Sequence, residues 1–274
     1  MVRVTALFTY PVKSCRGSAV PSADIDSLGF VGDRRFLVVD ETGTFITQRT
    51  MPRMSLVDAR LTDGALTLSA EGAGSISVAT APDAAAPIRT VTIWKSEGLQ
   101  TEDCGPALAQ WLSDFLGQQC RLVRVGPRFA RPVLKPAACP GDLHSSTDGA
   151  PLLVVSEASL AALNKRIVTA GGQPVPMNRF RPNIVVNGCT AFAEDDWQRI
   201  EINSAVFRGA GPSDRCGVTT IDQLTAEGGK EPLRTLATFR RNPRAASEVL
   251  FGANLINETK RGTVHVGDEV VIAA

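Results

Sequence analysis

The sequence predicts a mainly β protein of barrel or sandwich type with a few helices (α+β). Three observations carry that prediction. Short alternating or β-branched runs recur along the 274 residues. Turn residues separate many of them at hairpin spacing. Only three runs place apolar residues at helical spacing. Layers built from many short strands bury their edges best by closing into a barrel.

Taken in order, Arg3 to Tyr10 reads as a strand. Arg35–Val39 and Thr44–Gln48 flank Asp40-Glu41-Thr42-Gly43, and Leu56–Leu61 and Ala65–Ser69 flank Thr62-Asp63-Gly64, so each pair predicts a hairpin. Ser75–Ala79 and Thr90–Trp94 continue the strand pattern, separated by a surface loop rich in Ala, Asp and Pro from Thr80 to Pro87. Leu108, Trp111, Leu112 and Phe115 mark the first helix, with Asp103 expected as its N-cap and Gly117 as its stop. Cys120–Val125 returns to a strand. Gly126 to Pro151 is rich in Pro, Gly, Ser and Asp and predicts a long ordered loop, a length that often accompanies function. Leu152–Val155 is a short strand, and Ser156 is expected to cap a helix to about Ile167. Beyond the Gly171-Gly172 turn, strands are expected at Asn183–Asn187, Arg199–Phe207 and Gly217–Ile221. Pro232 suits the first turn of a helix carrying Leu233, Leu236 and Phe239. Thr263–Val266 and Glu269–Ala273, joined at Gly267-Asp268, predict a closing hairpin. The all-strand character gives way near Leu122, which divides the chain into residues 1–122 and 123–274.

Composition narrows the function. With 43% hydrophobic and 21% charged residues and a net charge of +1, the chain has an ordinary globular balance. Its scattered Lys and Arg residues form no basic block, which argues against nucleic acid as a partner. The N-terminal run meets Lys13 too soon for a secretion signal, and no apolar run reaches the length of a membrane span. The expectation is a cytoplasmic protein with no membrane partner. Six cysteines without a C-x-x-C pair, and only His144 and His265, argue against a zinc knuckle or a His-rich metal site.

Four polar, turn-like segments close apolar strands, where a rigid scaffold usually presents binding groups. They are Tyr10-Pro-Val-Lys-Ser-Cys15, Gly32-Asp-Arg-Arg-Phe36, Asn178-Arg-Phe-Arg-Pro-Asn183 and Gly211-Pro-Ser-Asp-Arg-Cys-Gly217. Together they gather Lys13, Arg34, Arg181, Arg215 and the thiol of Cys216, a set suited to a small anionic ligand. Neighbouring positive charge favours the thiolate, the form in which cysteine ligates or attacks. On the bare pattern the plainer alternative for Cys216 is stronger: a half-buried strand-end cysteine beside a solvated arginine. Lys13 and Ser14 could likewise serve only a turn, Arg34 or Arg35 could face solvent, and Arg181 could be a strand-start charge. Asp148 could be a simple turn acid and Asn254 a left-handed turn residue. Neither histidine suggests a Ser-His-Asp triad, and no P-loop or G-x-G-x-x-G occurs.

Taken together and in this order, these segments resemble the MOSC family, named for the C-terminal domain of molybdenum cofactor sulfurases. The chain is similar in particular to the mitochondrial amidoxime-reducing components and their bacterial relatives. Tyr-Pro-Val-Lys-Ser-Cys and Asp-Arg-Arg-Phe resemble the N-terminal MOSC-associated β domain. Ser-Glu-Ala-Ser-Leu, Arg-Phe-Arg-Pro-Asn-Ile-Val, Asp-Arg-Cys-Gly-Val-Thr-Thr-Ile-Asp and Phe-Gly-Ala-Asn resemble the MOSC β-barrel. The resemblance turns the balance at Cys216 from the plainer role to a chemical one, because it implies a molybdenum–molybdopterin cofactor with Cys216 as metal ligand and catalytic residue. It implies that Lys13, Ser14, Arg34 and Arg181 hold the pterin and its phosphate. It further implies that Asp148, Gly149, Ala150, Asn183, Asp214, Arg215 and Asn254 line the site. The chain departs from related reductases at Gly149 and Ala150, where they carry hydroxyl side chains, and at Asp214, which needs a cation to offset it beside an anionic cofactor. The implied activity is two-electron reduction of N-hydroxylated small molecules, hydroxylamines or amidoximes. No clustered-cysteine ferredoxin-like segment is present, so electrons are expected from a separate ferredoxin- or flavoprotein-type protein. Two alternatives stay open: a sulfur carrier or cofactor-handling protein using a Cys216 persulfide, and a non-catalytic cofactor-storage module.

Overall fold

The computed structural model describes residues 1–273. Seven strands close into a barrel: β1 (Val2–Thr9), β2 (Leu152–Ser156), β3 (Ile184–Asn187), β4 (Arg199–Ile202), β5 (Ala205–Arg215), β6 (Ala245–Asn257) and β7 (Glu269–Ala273). Around the barrel they run β2-β3-β1-β7-β4-β5-β6, and β6 returns to β2 through Leu153 opposite Asn254. Closure leaves these strands no open edge. The β2–β3 pair is parallel, and its crossover carries helix α2 (Glu157–Thr169), as a parallel pair requires. Ser156 caps that helix as expected, its Oγ accepting the Ser159 amide at 3.0 Å.

Strand periodicity explains the apolar run Leu152-Leu153-Val154-Val155. Leu152 and Val154 enter the barrel core with Leu7, Ile184, Phe207 and Leu255. Leu153 and Val155 face outward into a second cluster with Leu163 and Ile167 of α2, Leu236 of α3 (Leu233–Phe239), Phe180, and Phe251 of β6. Both faces are buried, so no polar alternation remains in the sequence.

The N-terminal half adds a four-stranded sheet, ordered Phe36–Val39, Arg121–Arg124, Ser96–Asp103 and Ile88–Ile93. A three-stranded meander, Asp58–Thr62, Ala65–Ala70 and Gly74–Ala79, lies beside it. Helix α1 (Pro106–Leu116) buries Leu108, Leu112 and Phe115 in one cluster with Phe36, Val38, Met54, Leu66 and Leu68. The molecule is therefore mostly β, with a closed barrel and three α-helices among the described residues.

Several elements differ from expectation, each for a local reason. Gly217–Ile221 is no strand: Gly217–Thr220 forms a 3-10 turn. The Thr219 and Thr220 hydroxyls donate to the Cys216 and Gly217 carbonyls at 2.9 and 2.7 Å, an alternative to sheet pairing. Asp103 does not cap α1. Gly105 does, at φ 95°, with Pro106 at the first helical position. The buried Asp103 carboxylate instead pairs with Arg89 and Arg121. Arg199–Phe207 is two strands meeting at Asn203, whose φ is 53°. The expected closing hairpin is absent, because Thr263–His265 pairs with Ser22–Asp26 while β7 pairs with β1 and β4. Thr44–Gln48 makes only isolated bridges. Two long strands carry no pattern that predicts them: Ser96–Asp103 is largely polar and acidic, and β6 begins with the mostly exposed Ala-Ala-Ser-Glu.

Candidate functional site

Where the barrel mouth meets the N-terminal half, a cavity of about 600 Å³ opens. All twelve residues singled out from the sequence line it: Lys13, Ser14, Arg34, Asp148, Gly149, Ala150, Arg181, Asn183, Asp214, Arg215, Cys216 and Asn254. They come from the segment after β1, the segment leading into β3, the tail of β5, the interior of β6, the turn before Phe36 and the long loop.

The floor is built under backbone strain. Ser14, Arg34 and Arg181 have φ of 67°, 48° and 54°, a region costly for residues with a side chain. Strain of roughly 1–3 kcal/mol per residue persists only where the surroundings enforce it, and it concentrates at functional sites. Tyr10 supplies part of that enforcement. Its ring packs against both Arg34 and Arg181, each guanidinium 4.2 Å from the centroid, and its hydroxyl donates to the Pro182 carbonyl at 3.1 Å. Burial pushes the Tyr10 phenol up to about 12, against the pull of the two arginines. Arg34 donates to Asp33 at 2.6 Å and to Asn183 Oδ1 at 3.0 Å. Asn183 Oδ1 also accepts the Leu153 amide, and its Nδ2 donates to the Phe8 carbonyl. One side chain thus ties β1, β2 and the start of β3 to the Arg34 guanidinium.

Lys13 is buried, and burial pulls its ammonium pKa down against the raising effect of Asp148. Its Nζ donates to the Ser146 carbonyl at 2.7 Å and to Asp148 Oδ1 at 2.5 Å. Desolvation at the cavity wall acts to raise the Asp148 pKa. The Lys13 ammonium and the Trp94 indole, at 3.0 Å, prevail and hold that carboxyl below the usual range.

Cys216 also lines the cavity, half-buried, where β5 ends. Register breaks on either side of Pro212 bend β5 and aim its tail into the cavity. Asn254 on β6 holds the bend, donating to the Gly211 and Pro212 carbonyls at 3.3 Å each. Arg215 Nη2 donates to the Phe180 carbonyl at 2.6 Å, joining the cysteine segment to the Arg181 segment. The carboxylate of Asp214, for which the neighbouring Arg215 is one offsetting cation the sequence offers, meets Lys135 at 3.8 Å.

Two features point to an anionic ligand. Arg181 Nη2 and Arg215 Nε are buried without a hydrogen-bond partner. Lys13, Arg34, Arg49, Lys95, Lys135, Arg181 and Arg215 meet Asp148 and Asp214 on the lining and Asp33 behind Arg34, seven cations against three carboxylates, a surplus of four. Burial lowers the Arg181 pKa to about 10, which leaves it charged near neutrality. Sequence reasoning missed Arg49, Trp94, Lys95 and Lys135. They sit in loops with no distinctive spacing, and only the fold brings them to the rim.

The chain is similar to known proteins over nearly its whole length. The model of the MOSC N-terminal beta barrel domain matches residues 1–119, and that of the MOSC domain matches residues 141–271. Mitochondrial amidoxime-reducing component 1 of Mus musculus is 35% identical, covering 98% of this chain and 82% of that protein. Its Homo sapiens counterpart is 36% identical with the same coverage. The chain belongs to the MOSC family. Molybdenum cofactor sulfurase of Danio rerio is also similar, at 31% identity over 98% of this MOSC chain but only 34% of the sulfurase. The two matched MOSC stretches leave residues 120–140 between them, and this gap carries Lys135. No helix among the described residues is long and apolar enough to cross a membrane.

Proposed function

We propose that this MOSC protein binds the molybdenum–molybdopterin cofactor, with Cys216 as the protein's metal ligand, and reduces N-hydroxylated small molecules with electrons from a separate donor protein of ferredoxin or flavoprotein type. The observation that carries the reading is the pairing of one half-buried thiol with two buried arginine nitrogens that lack partners, across one cationic cavity. Among the described residues no cluster of three His, Cys, Asp or Glu side chains could hold an ion unaided. A metal beside Cys216 therefore suits a group that brings further ligands of its own. When bound, that cofactor supplies the two-electron chemistry.

The chain's own residues bind and orient. Arg34, Arg181 and Lys13 offer guanidinium and ammonium groups to the pterin and its phosphate, and the Ser14 hydroxyl can add a hydrogen bond. Asn183 fixes Arg34, and Asn254 fixes the bend that presents Cys216. Asp148, Gly149, Ala150, Asp214 and Arg215 shape the space left for substrate. For an amidoxime the balance is two electrons and two protons in, with the N–O bond broken and an amidine and water out. The donor protein supplies the electrons and solvent the protons.

The sulfurase relative favours a second reading, sulfur carriage on a Cys216 persulfide. One experiment separates the two: molybdenum analysis of the protein and of Cys216→Ser, both made in cells that synthesise the cofactor. Near-stoichiometric metal, lost or spectroscopically altered in the variant, is the expected result. No metal in either, with a persulfide on Cys216, would overturn the reductase reading. Bound molybdenum without reduction of any hydroxylamine or amidoxime would indicate storage.

A further inference from the structure

The cavity's cations fall into two groups. On the floor, Lys13 is paired with Asp148 and Arg34 with Asp33, at 2.5 and 2.6 Å. On the rim, Arg49 and Lys95 are exposed, and Arg49 stacks on the Trp94 ring at 4.0 Å. Lys135 completes the rim. Its side chain is 24% exposed, makes no hydrogen bond among the described residues, and approaches a carboxylate, Asp214, only at 3.8 Å. That distance is beyond hydrogen bonding, so the ammonium keeps its donors for something else.

Gly149 seats this lysine. A Cβ at position 149 would lie 2.9 Å from Lys135 Cε and 3.3 Å from its Nζ. Any side chain there pushes the ammonium from its present place. Lys135 also lies outside both matched MOSC stretches, on the loop between them.

We propose that Lys135, seated by Gly149 and supported by Arg49 and Lys95, selects substrates that carry a carboxylate or similar small anionic group beside the N-hydroxyl. The inference rests on the reductase reading for its substrate class. Lys135 acts here as a specificity-determining residue: a carboxylate within its reach gains a charge-assisted hydrogen bond in a partly enclosed site, where screening is weaker than on open surface.

The test compares benzamidoxime with 4-carboxybenzamidoxime on the cofactor-loaded protein, on Lys135→Gln and on Gly149→Ser. KM is measured for both compounds with a reduced viologen as donor, and Kd for both by calorimetry without reductant. The carboxylated compound should bind about five- to tenfold tighter in the parent, a ratio that falls toward one in both variants and in high salt. Equal values for the two compounds in the parent, or an unchanged ratio in Lys135→Gln, overturn the proposal and leave the reductase reading standing. Loss of molybdenum from Lys135→Gln with the ratio intact also overturns it, since the lysine then serves the cofactor. If neither compound is reduced, the reductase reading fails, and the calorimetric ratio still decides the role of Lys135.

Discussion

At the scale of single residues, Arg181 shows how much of the site depends on one side chain. It is buried, stacked on Tyr10, held at positive φ, and left with one nitrogen unpartnered. Lysine would keep the charge but lose the planar fork and the stacking, so the change is not conservative here. Arg181→Lys is expected to fold and yet retain severalfold less molybdenum than the parent, as elemental analysis would show. Undiminished metal would mean that the unpartnered nitrogen does not face the cofactor. The residue scale is also where the sequence was most legible. Four motif segments held eight of the twelve site residues and the family resemblance implied the other four; the fold sets all twelve around one cavity. Lys135, Arg49 and Trp94 were invisible by the same route, because isolated residues in polar loops have no periodicity to betray them.

At the scale of elements, the loop from Gly126 to Pro151 is ordered by buried polar contacts. Arg131 donates to the Ser145 and Thr147 carbonyls at 3.2 and 2.5 Å, and Asp142 is paired with Arg208 and Lys260. His144 sits among these groups, 2% exposed, with Nδ1 2.8 Å from Thr147 Oγ1. Burial, aided by the Arg131 and Lys13 charges, pushes its pKa down to about 3. The unfolded chain takes up this proton near pH 6.5, before the folded one does, so the resulting stability is present above that pH. As pH falls from there toward 3 the stability drains away, at roughly 1.4 kcal/mol per pH unit at most. His144→Gln should flatten that part of the pH profile in urea titrations, and an unchanged slope would place the acid sensitivity elsewhere. Composition foretold an ordered loop. It held no hint that Arg131 would be the hub, since that follows from which carbonyls the folded loop turns inward.

At the scale of the whole molecule, β1 joins the two halves. It lies between β3 and β7 in the barrel, while the chain that follows it, from Tyr10 to Cys15, forms the cavity floor and reaches the N-terminal core at Val12 and Cys15. A fragment of residues 141–271, the matched MOSC stretch, lacks β1 and exposes the edges of β3 and β7. Unpaired edges promote association. The fragment is expected to aggregate in light scattering, and a monomeric, cooperatively unfolding fragment would refute that. By itself the sequence determined the β class and the capped helix at Ser156, because periodicity and capping are local. Tertiary structure alone decided that Thr263–His265 pairs with Ser22–Asp26, that the segment after Cys216 turns instead of extending, and that Lys135 meets Gly149 and Asp214. Those outcomes depend on which distant surfaces meet and bury one another, and no local pattern encodes that energy.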